Sequence, residues 1–452
     1  VLHKAQIMAL KSFFGTDGIR GIYGQSPLTP KELWSIGYGA SLYLRERGTP
    51  HPRIIMGKDT RESGDSVVRA LCGGFKQGGG SIDYIGVAPT PSISLLTQKH
   101  AADMGMMISA SHNPSHYNGI KFFNHRGEKL SDQEESALES SIRTVLDVSG
   151  PEQESGVCPL LSGYEDFLCK AVTDLKGLKV VIDCAHGAFS DLAGPIFRRC
   201  GAHVVHEIGV SPDGKNINEG VGAVYPEALA QVVRDTHADL GLSFDGDGDR
   251  VMVVDARGGV QDGDQILACL SQHYGAKGVV GTVMSNLGVE RFFLSHHIPF
   301  FRSQVGDRYI AQQLRSLDLA LGGEPCGHVL LTDFLPTGDG LLVGLLVAQI
   351  VATQGNPFPL FTPVPFVLRN VAIKNKVALD HPAFIEYVQG VHDRMQGHGR
   401  FLVRSSGTEP LLRILVEGEC QQFIDKVARD VEQHLAQMYG ALELPEHTPL
   451  PR

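Results

Sequence analysis

Three aspartates alternate with glycine in the run DGDGDR, residues 245–250. Asp245, Asp247 and Asp249 bring three carboxylates together if Gly246 and Gly248 let the backbone curl. Like charges this close repel unless a cation joins them. An all-oxygen donor set suits a hard ion, and Mg²⁺ is the expected one. Two blander readings stand beside this. Asp/Gly runs are common in surface turns. A calcium hand also starts with alternating acids, but it needs glycine at its sixth position and glutamate at its twelfth. Here those positions are Arg250 and Ala256. Arg250 is better suited to hold an anion beside the metal.

The run SASHNP, residues 109–114, offers Ser111 beside His112, with Pro114 to stiffen the turn and Lys121 following in NGIK. A serine hydroxyl next to a histidine and a lysine suggests covalent catalysis. Taken alone, the run is more simply explained as a plain Ser/Asn/Pro turn. The hydrolase elbow G-x-S-x-G is absent at this serine, which argues against an esterase. In FGTDGIRG, residues 14–21, Arg20 sits in a glycine-bent loop and could clamp an anion. Lys58, Asp59 and Arg61 in GKDTRESG form a further polar loop, for which a solvated structural role is as open as a functional one. In GGEPCGH, residues 322–328, Glu324 and His328 flank a turn, and a carboxylate is a strong acceptor for sugar hydroxyls. Cys326 reads as a small packing residue. RSSGTEPLLR, residues 404–413, joins Ser406, Gly407 and Thr408 to Arg404 and Arg413, a composition that suits a phosphate cradle.

The elements that must position these loops are legible as alternation. Apolar runs of strand length alternate with helical patterns from Arg53 to about Ala352, the mark of α/β layers. The segment ADMGMMIS, residues 102–109, resembles ADLGLSFD, residues 238–245, and more loosely LDLALGGE, residues 317–324. Each follows a helical pattern and leads into one of the polar loops, and in open α/β sheets ligands bind beyond the carboxyl ends of strands. Leu341–Val351 is too short for a membrane span and reads as a buried helix. Polar or proline-rich stretches at 147–159, 256–264 and 353–366 suggest boundaries, the last being linker-like. The expected domains are 1–152 with the serine loop, 153–256 with the metal loop, 257–366 with the sugar loop and 367–452 with the phosphate loop. In the last, Leu411–Glu417 reads as a strand, and Phe423, Val427, Val431, Leu435 and Met438 form a helical core stripe. The fold class is therefore α/β: three similar mixed α/β domains plus a smaller C-terminal α+β domain.

Serine, metal, hydroxyl-binding and phosphate loops in one chain describe phosphoryl transfer on a phosphorylated polyol. In order and spacing, FGTDGIRG, GKDTR, SASHNP with NGIKF, DGDGDR, VGDRY at 305–309, GE–GH and SGTEP resemble the α-D-phosphohexomutases over nearly the whole chain, and most closely their amino-sugar branch. The resemblance implies a heart-shaped arrangement of four domains. It implies that Ser111 carries a phosphoryl group and helps Asp245, Asp247 and Asp249 to hold one Mg²⁺. Arg20, His112, Lys121 and Arg250 would surround the transferring group, with Lys121 as the general base. Glu324, with Cys326 and His328 in its turn, would meet the sugar, and Arg404, Ser406, Gly407, Thr408 and Arg413 would grip the non-reacting phosphate. The implied reaction interconverts glucosamine 6-phosphate and glucosamine 1-phosphate through a 1,6-bisphosphate, with a hexose 1,6-bisphosphate as activator, on the route to UDP-N-acetylglucosamine. Mannose or glucose phosphate is the alternative substrate. The chain departs from the family at Cys326, where serine is usual; a thiol donates more weakly to a sugar hydroxyl.

Bulk properties exclude other classes. The 452 residues carry a formal charge of −10 with no long basic run, which argues against nucleic acid as a partner. No apolar stretch reaches the ~20 residues of a membrane helix. The first residues do not read as a signal peptide, and Met8 is a candidate natural start. Eight scattered cysteines without a CxxC pair suit a reducing cytoplasm. The expected partner is a small sugar phosphate, and the oligomeric state is open, a homodimer included.

Overall fold

The computed structural model describes residues 13–15, 17–372, 381–405 and 411–439. The chain forms two compact units. One takes residues 1–261 and 326–356, and the other takes 262–325 and 357–452.

The first unit holds two sheets built on one plan. In the first sheet, Met104–Ile108 lies between the parallel strand Arg53–Lys58 and the antiparallel strand Tyr117–Asn124. Ser81–Val87 flanks Arg53–Lys58, and Gly18–Ile22 flanks Tyr117–Asn124. In the second sheet, Leu240–Phe244 lies between the parallel Lys179–Asp183 and the antiparallel Val251–Asp255. The two members of the sequence repeat thus occupy the same place in their sheets, and every residue of both strands is buried. Such strands read as near-continuous apolar runs because layers cover both faces. The segment expected as a buried helix is Gly340–Gln354, which packs on Leu240–Phe244 and Val251–Asp255.

In the second unit the third copy becomes the strand Leu321–Gly323, parallel to Val279–Thr282, which also pairs in parallel with Phe300–Ser303. Beyond it, Phe366–Ala372, Leu411–Gly418 and Gly399–Ser405 form an antiparallel sheet with Leu411–Gly418 in the middle. The stripe read at Phe423–Met438 lies on the helix Gln421–Tyr439, where Val427, Val431 and Leu435 are buried together with Ile424 and Ala428. The proline-rich stretch 353–366 is tied down rather than loose. Asn286 bonds both the N–H and the carbonyl of Val364, and Gln265 does the same for Leu360 N–H and Phe361 carbonyl. Two polar side chains supply the partners that the prolines cannot supply through a ladder.

Candidate active site

The three aspartates follow Leu240–Phe244 in a turn whose two glycines do different work. Gly248 has φ +77°, a conformation that favours glycine. Gly246 permits close approach: a Cβ there would lie 2.8 Å from the Ser111 carbonyl oxygen and 2.7 Å from Ile217 Cδ1. The turn is held from outside. Gly340 N–H donates to Gly248 O at 3.0 Å, Ala188 N–H to Gly246 O at 2.8 Å, and Thr90 N–H to Asp247 O at 2.8 Å. Asp245, Asp247 and Asp249 are all buried, and one oxygen from each lies within 4.8 Å of the others. Asp247 Oδ1 and Asp249 Oδ1 are buried without a hydrogen bond. Buried carboxylate oxygens are costly to leave in that state, so all-oxygen chemistry and orphaned atoms together fit a hard divalent cation.

Ser111 faces this cluster from the loop after Met104–Ile108. Its backbone is left-handed, φ 52°, which is uncommon for a residue with a side chain. Its hydroxyl donates to Asp245 Oδ2 at 2.6 Å and lies 3.3 Å from His112 Nδ1. Lys121, on the neighbouring strand, donates to Asp247 Oδ2 at 2.7 Å and Asp249 Oδ2 at 2.8 Å, and lies 3.5 Å from Asp17 Oδ2. Arg250 Nε lies 3.9 Å from Asp245 Oδ2 and 3.8 Å from Asp249 Oδ1. Arg20 pairs with Asp17 and donates to Ala110 O and Asn113 Oδ1, each at 3.3 Å. His328 Nδ1 lies 3.7 Å from Asp249 Oδ1. One end of the first unit therefore gathers Arg20, Ser111, His112, Lys121, the three aspartates, Arg250 and His328, residues drawn from positions 20 to 328.

The charges set one another. Burial and the neighbouring Asp249 and Asp247 push the Asp245 carboxyl well above the usual carboxylate range. Burial pushes Asp249 the same way, but Lys121, His328 and Arg250 overcome it and hold that carboxyl well below the range. Burial alone would weaken the Lys121 ammonium, yet Asp17, Asp247 and Asp249 raise its pKa well above the ordinary value. In this arrangement Lys121 is a cation donating to the carboxylates. Arg250, then burial, then Arg20 hold His112 well below its ordinary pKa, so its imidazole is neutral near pH 7.

The remaining expected site residues divide between the units. Cys326 belongs to the first, and Glu324, Arg404 and Arg413 belong to the second. Glu324 Oε1 accepts the N–H of Gly306 at 3.1 Å, within the VGDRY loop. Arg404 and Arg413 are direct cross-strand partners, and burial and then Arg413 lower the pKa of the Arg404 guanidinium against the opposing pull of Glu324. Like charges directly opposite on neighbouring strands are unfavourable unless an anion joins them. Ser406, Gly407 and Thr408 lie outside the described residues.

The structure corrects one reading and adds residues that had no signal. The loop GKDTRESG is not solvated at its centre: the side chains of Asp59 and Arg61 are fully buried. Thr90 donates to Asp247 Oδ2 at 2.5 Å, and Lys129 pairs with Asp17 Oδ1 at 2.5 Å. Asn218 Nδ2 donates to Ser111 O at 3.0 Å. These three are ordinary residue types in ordinary contexts. Only the Asn-Ile-Asn-Glu-Gly run at 216–220, a left-handed-tolerant composition, hints at a special backbone, and Asn218 has φ 60°.

Comparison with known proteins gives a consistent result. Models of the phosphoglucomutase/phosphomannomutase family match along the chain: alpha/beta/alpha domain I at 11–148, domain II at 163–259, domain III at 262–360 and the C-terminal domain at 367–434. The phosphoglucosamine mutase of Paracoccus denitrificans is 40% identical over 441 residues, covering 93% of this chain and 98% of that one. The phosphoglucosamine mutase of Thermus thermophilus is 40% identical over 434 residues, covering 94% and 98%. A phosphoglucomutase/phosphomannomutase family protein of Burkholderia thailandensis has the same fold, with TM-score 0.77 at 22% identity over 95% of this chain and 98% of that one. The Aspergillus fumigatus N-acetylphosphoglucosamine mutase, solved with GlcNAc-6P and magnesium, matches with TM-score 0.65 at 18% identity over 95% and 96%.

Proposed function

From a chain that belongs to the phosphoglucomutase/phosphomannomutase family, among its phosphoglucosamine mutases, we propose the following division of labour. Ser111 carries a phosphoryl group and passes it to the free hydroxyl of glucosamine 6-phosphate or glucosamine 1-phosphate. The resulting 1,6-bisphosphate returns its other phosphoryl group to Ser111, so the sugar leaves isomerised and the serine leaves phosphorylated. A hexose 1,6-bisphosphate primes any serine that has lost its group. The observation that carries this reading is the 2.6 Å bond from Ser111 Oγ to a carboxylate of a buried triad with orphaned oxygens.

Asp245, Asp247 and Asp249 would hold one Mg²⁺, which supplies charge neutralisation at the phosphoryl oxygens. Arg20 and Arg250 border the serine and stabilise the charge spread over those oxygens. His112, neutral and 3.3 Å from Oγ, hydrogen-bonds the serine without competing for the proton. Lys121 takes the proton of the attacking sugar hydroxyl. An ammonium cannot do so, so this role requires Lys121 to leave Asp247 and Asp249 and to give its own proton to water before the hydroxyl attacks. Glu324, with Cys326 and His328 beside it in sequence, orients the sugar, and Arg404, Arg413 and the loop carrying Ser406, Gly407 and Thr408 bind the non-reacting phosphate. The cross-strand arginine pair supports that last assignment. The eight free cysteines suit a cytoplasmic setting, and no helix among the described residues is long and apolar enough to cross a membrane. A homodimer is compatible with this division.

Turnover of glucosamine 6-phosphate with Mg²⁺ and a trace of hexose 1,6-bisphosphate, against mannose and glucose 6-phosphates at equal concentration, tests the reading. A strong preference for the amino sugar is expected. Preference for a neutral sugar would refute the substrate assignment, and release of inorganic phosphate as the main product would refute the mutase cycle.

A further inference from the structure

We propose that Arg61 is a positioning residue for Ser111, the template on which the phosphoryl-carrying loop is folded; this rests on the reading of Ser111 as carrier. A guanidinium has five N–H donors, and every one of those of Arg61 is used. Nε donates to Asp59 Oδ2 at 2.9 Å. Nη1 donates to the carbonyls of Pro114 at 2.6 Å and Tyr117 at 2.9 Å. Nη2 donates to the carbonyls of Ser111 and Asn113, each at 2.8 Å. Four carbonyls of the 111–117 turn thus converge on one planar fork that water does not reach.

The same ion pair holds the other side of the serine. Asp59 Oδ2 also accepts the Ser109 hydroxyl at 2.6 Å, and Ser109 Oγ accepts the Ser111 N–H at 2.8 Å. The peptides before and after Ser111 are therefore both tied to the Asp59–Arg61 pair, one through Ser109 and the other directly. Asn218 adds a second donor to the Ser111 carbonyl. A left-handed serine is held only when its surroundings over-determine it, and these bonds do so. With φ 52° imposed, Oγ points at Asp245. Arg61 meets the serine only at its carbonyl, and its charge is matched by Asp59. Its contribution is direction rather than field.

Lysine at position 61 keeps the charge but has three donors on a single atom and cannot span four carbonyls. The decisive readout is the single-turnover rate at which phosphate moves from preloaded Ser111 to glucosamine 6-phosphate, taken with KM and with the phosphoserine ³¹P resonance. Displacement of a reacting group by about 1 Å costs on the order of 100-fold in rate. Arg61→Lys should therefore lose about that factor in transfer rate, with KM nearly unchanged and the ³¹P line shifted or broadened. Asn218→Gly, which keeps the left-handed backbone and deletes the Nδ2 bonds to the Ser111 carbonyl at 3.0 Å and the Asn113 carbonyl at 3.3 Å, should lose about tenfold or more, tenfold being the worth of about 1.4 kcal/mol. It carries the test if the lysine variant does not fold. Wild-type transfer rates and an unshifted line in folded variants would overturn the proposal. If wild-type protein turns over the sugar without ever holding phosphate on Ser111, the carrier reading fails instead, and this inference falls with it.

Discussion

Replacing Asp339 with asparagine should flatten the pH dependence of the first unit's stability. Asp339 caps the helix Gly340–Gln354, accepting the N–H groups of Leu341 at 3.1 Å and Leu342 at 3.0 Å. The Tyr164 hydroxyl lies 3.0 Å from its Oδ1 and 3.1 Å from its Oδ2. Burial pushes the carboxyl up to about 7 from its ordinary 3.8, against the pull of these hydrogen bonds. The folded chain therefore keeps a proton that the unfolded chain has already lost. The stabilisation this brings is complete below pH 3.8 and is lost as pH rises through about 7. At about 1.4 kcal/mol per pH unit, the rise from about pH 5 to about pH 7 costs about 3 kcal/mol, and the whole interval about 4 kcal/mol. Asparagine does not titrate, and its carbonyl still caps the helix. Urea unfolding of both proteins, followed by fluorescence of the single tryptophan, Trp34, which is buried in this unit, measures the difference. The variant should gain about 3 kcal/mol on the wild type between about pH 5 and about pH 8. A variant-minus-wild-type difference that stays constant over that range would refute the reasoning.

Two further outcomes test the substrate grip. Arg413→Ala removes one of the paired cross-strand arginines, and charge-assisted bonds to a phosphate contribute about 1.5–3 kcal/mol. Steady-state kinetics should show KM for glucosamine 6-phosphate raised about 10- to 100-fold with kcat changed far less; an unchanged KM would remove Arg413 from the phosphate site. Cys326→Ser supplies a stronger hydrogen-bond donor than the thiol, and it should lower KM for the amino sugar by about threefold to tenfold, the worth of one hydrogen bond. A raised KM would mean that the thiol is the better fit in this turn.

What the sequence made legible was what is local. Ser111 and the aspartate triad stand in short runs whose composition is itself the signal, and the structure brings them into contact. The repeated strands were legible because their burial on both faces leaves a nearly continuous apolar run, interrupted only at Ser243. The brace around the serine was not, because its partners are far apart in the chain. Arg61 reaches carbonyls about fifty residues on, and Asn218 comes from a different sheet's loop. A polar Asp-x-Arg in one sequence looks the same whether it faces water or closes on a buried turn; only the three-dimensional fold decides. The helical stripe of the last sheet was read too narrowly for a similar reason. A helix lying across a sheet buries neighbouring positions as well, and so Ile424 and Ala428 join the core.

The central claim is that the phosphoryl group resides on Ser111 between turnovers and passes directly to the sugar. Loading the protein with isotopically labelled hexose 1,6-bisphosphate, isolating it, and chasing with glucosamine 6-phosphate in the presence of Mg²⁺ tests this most directly. Peptide mass spectrometry should find the label on Ser111, and the chase should transfer it to the sugar within a single turnover, at a rate no slower than kcat. Label absent from Ser111 while the sugar isomerises, or label that leaves Ser111 only as inorganic phosphate, would contradict the account.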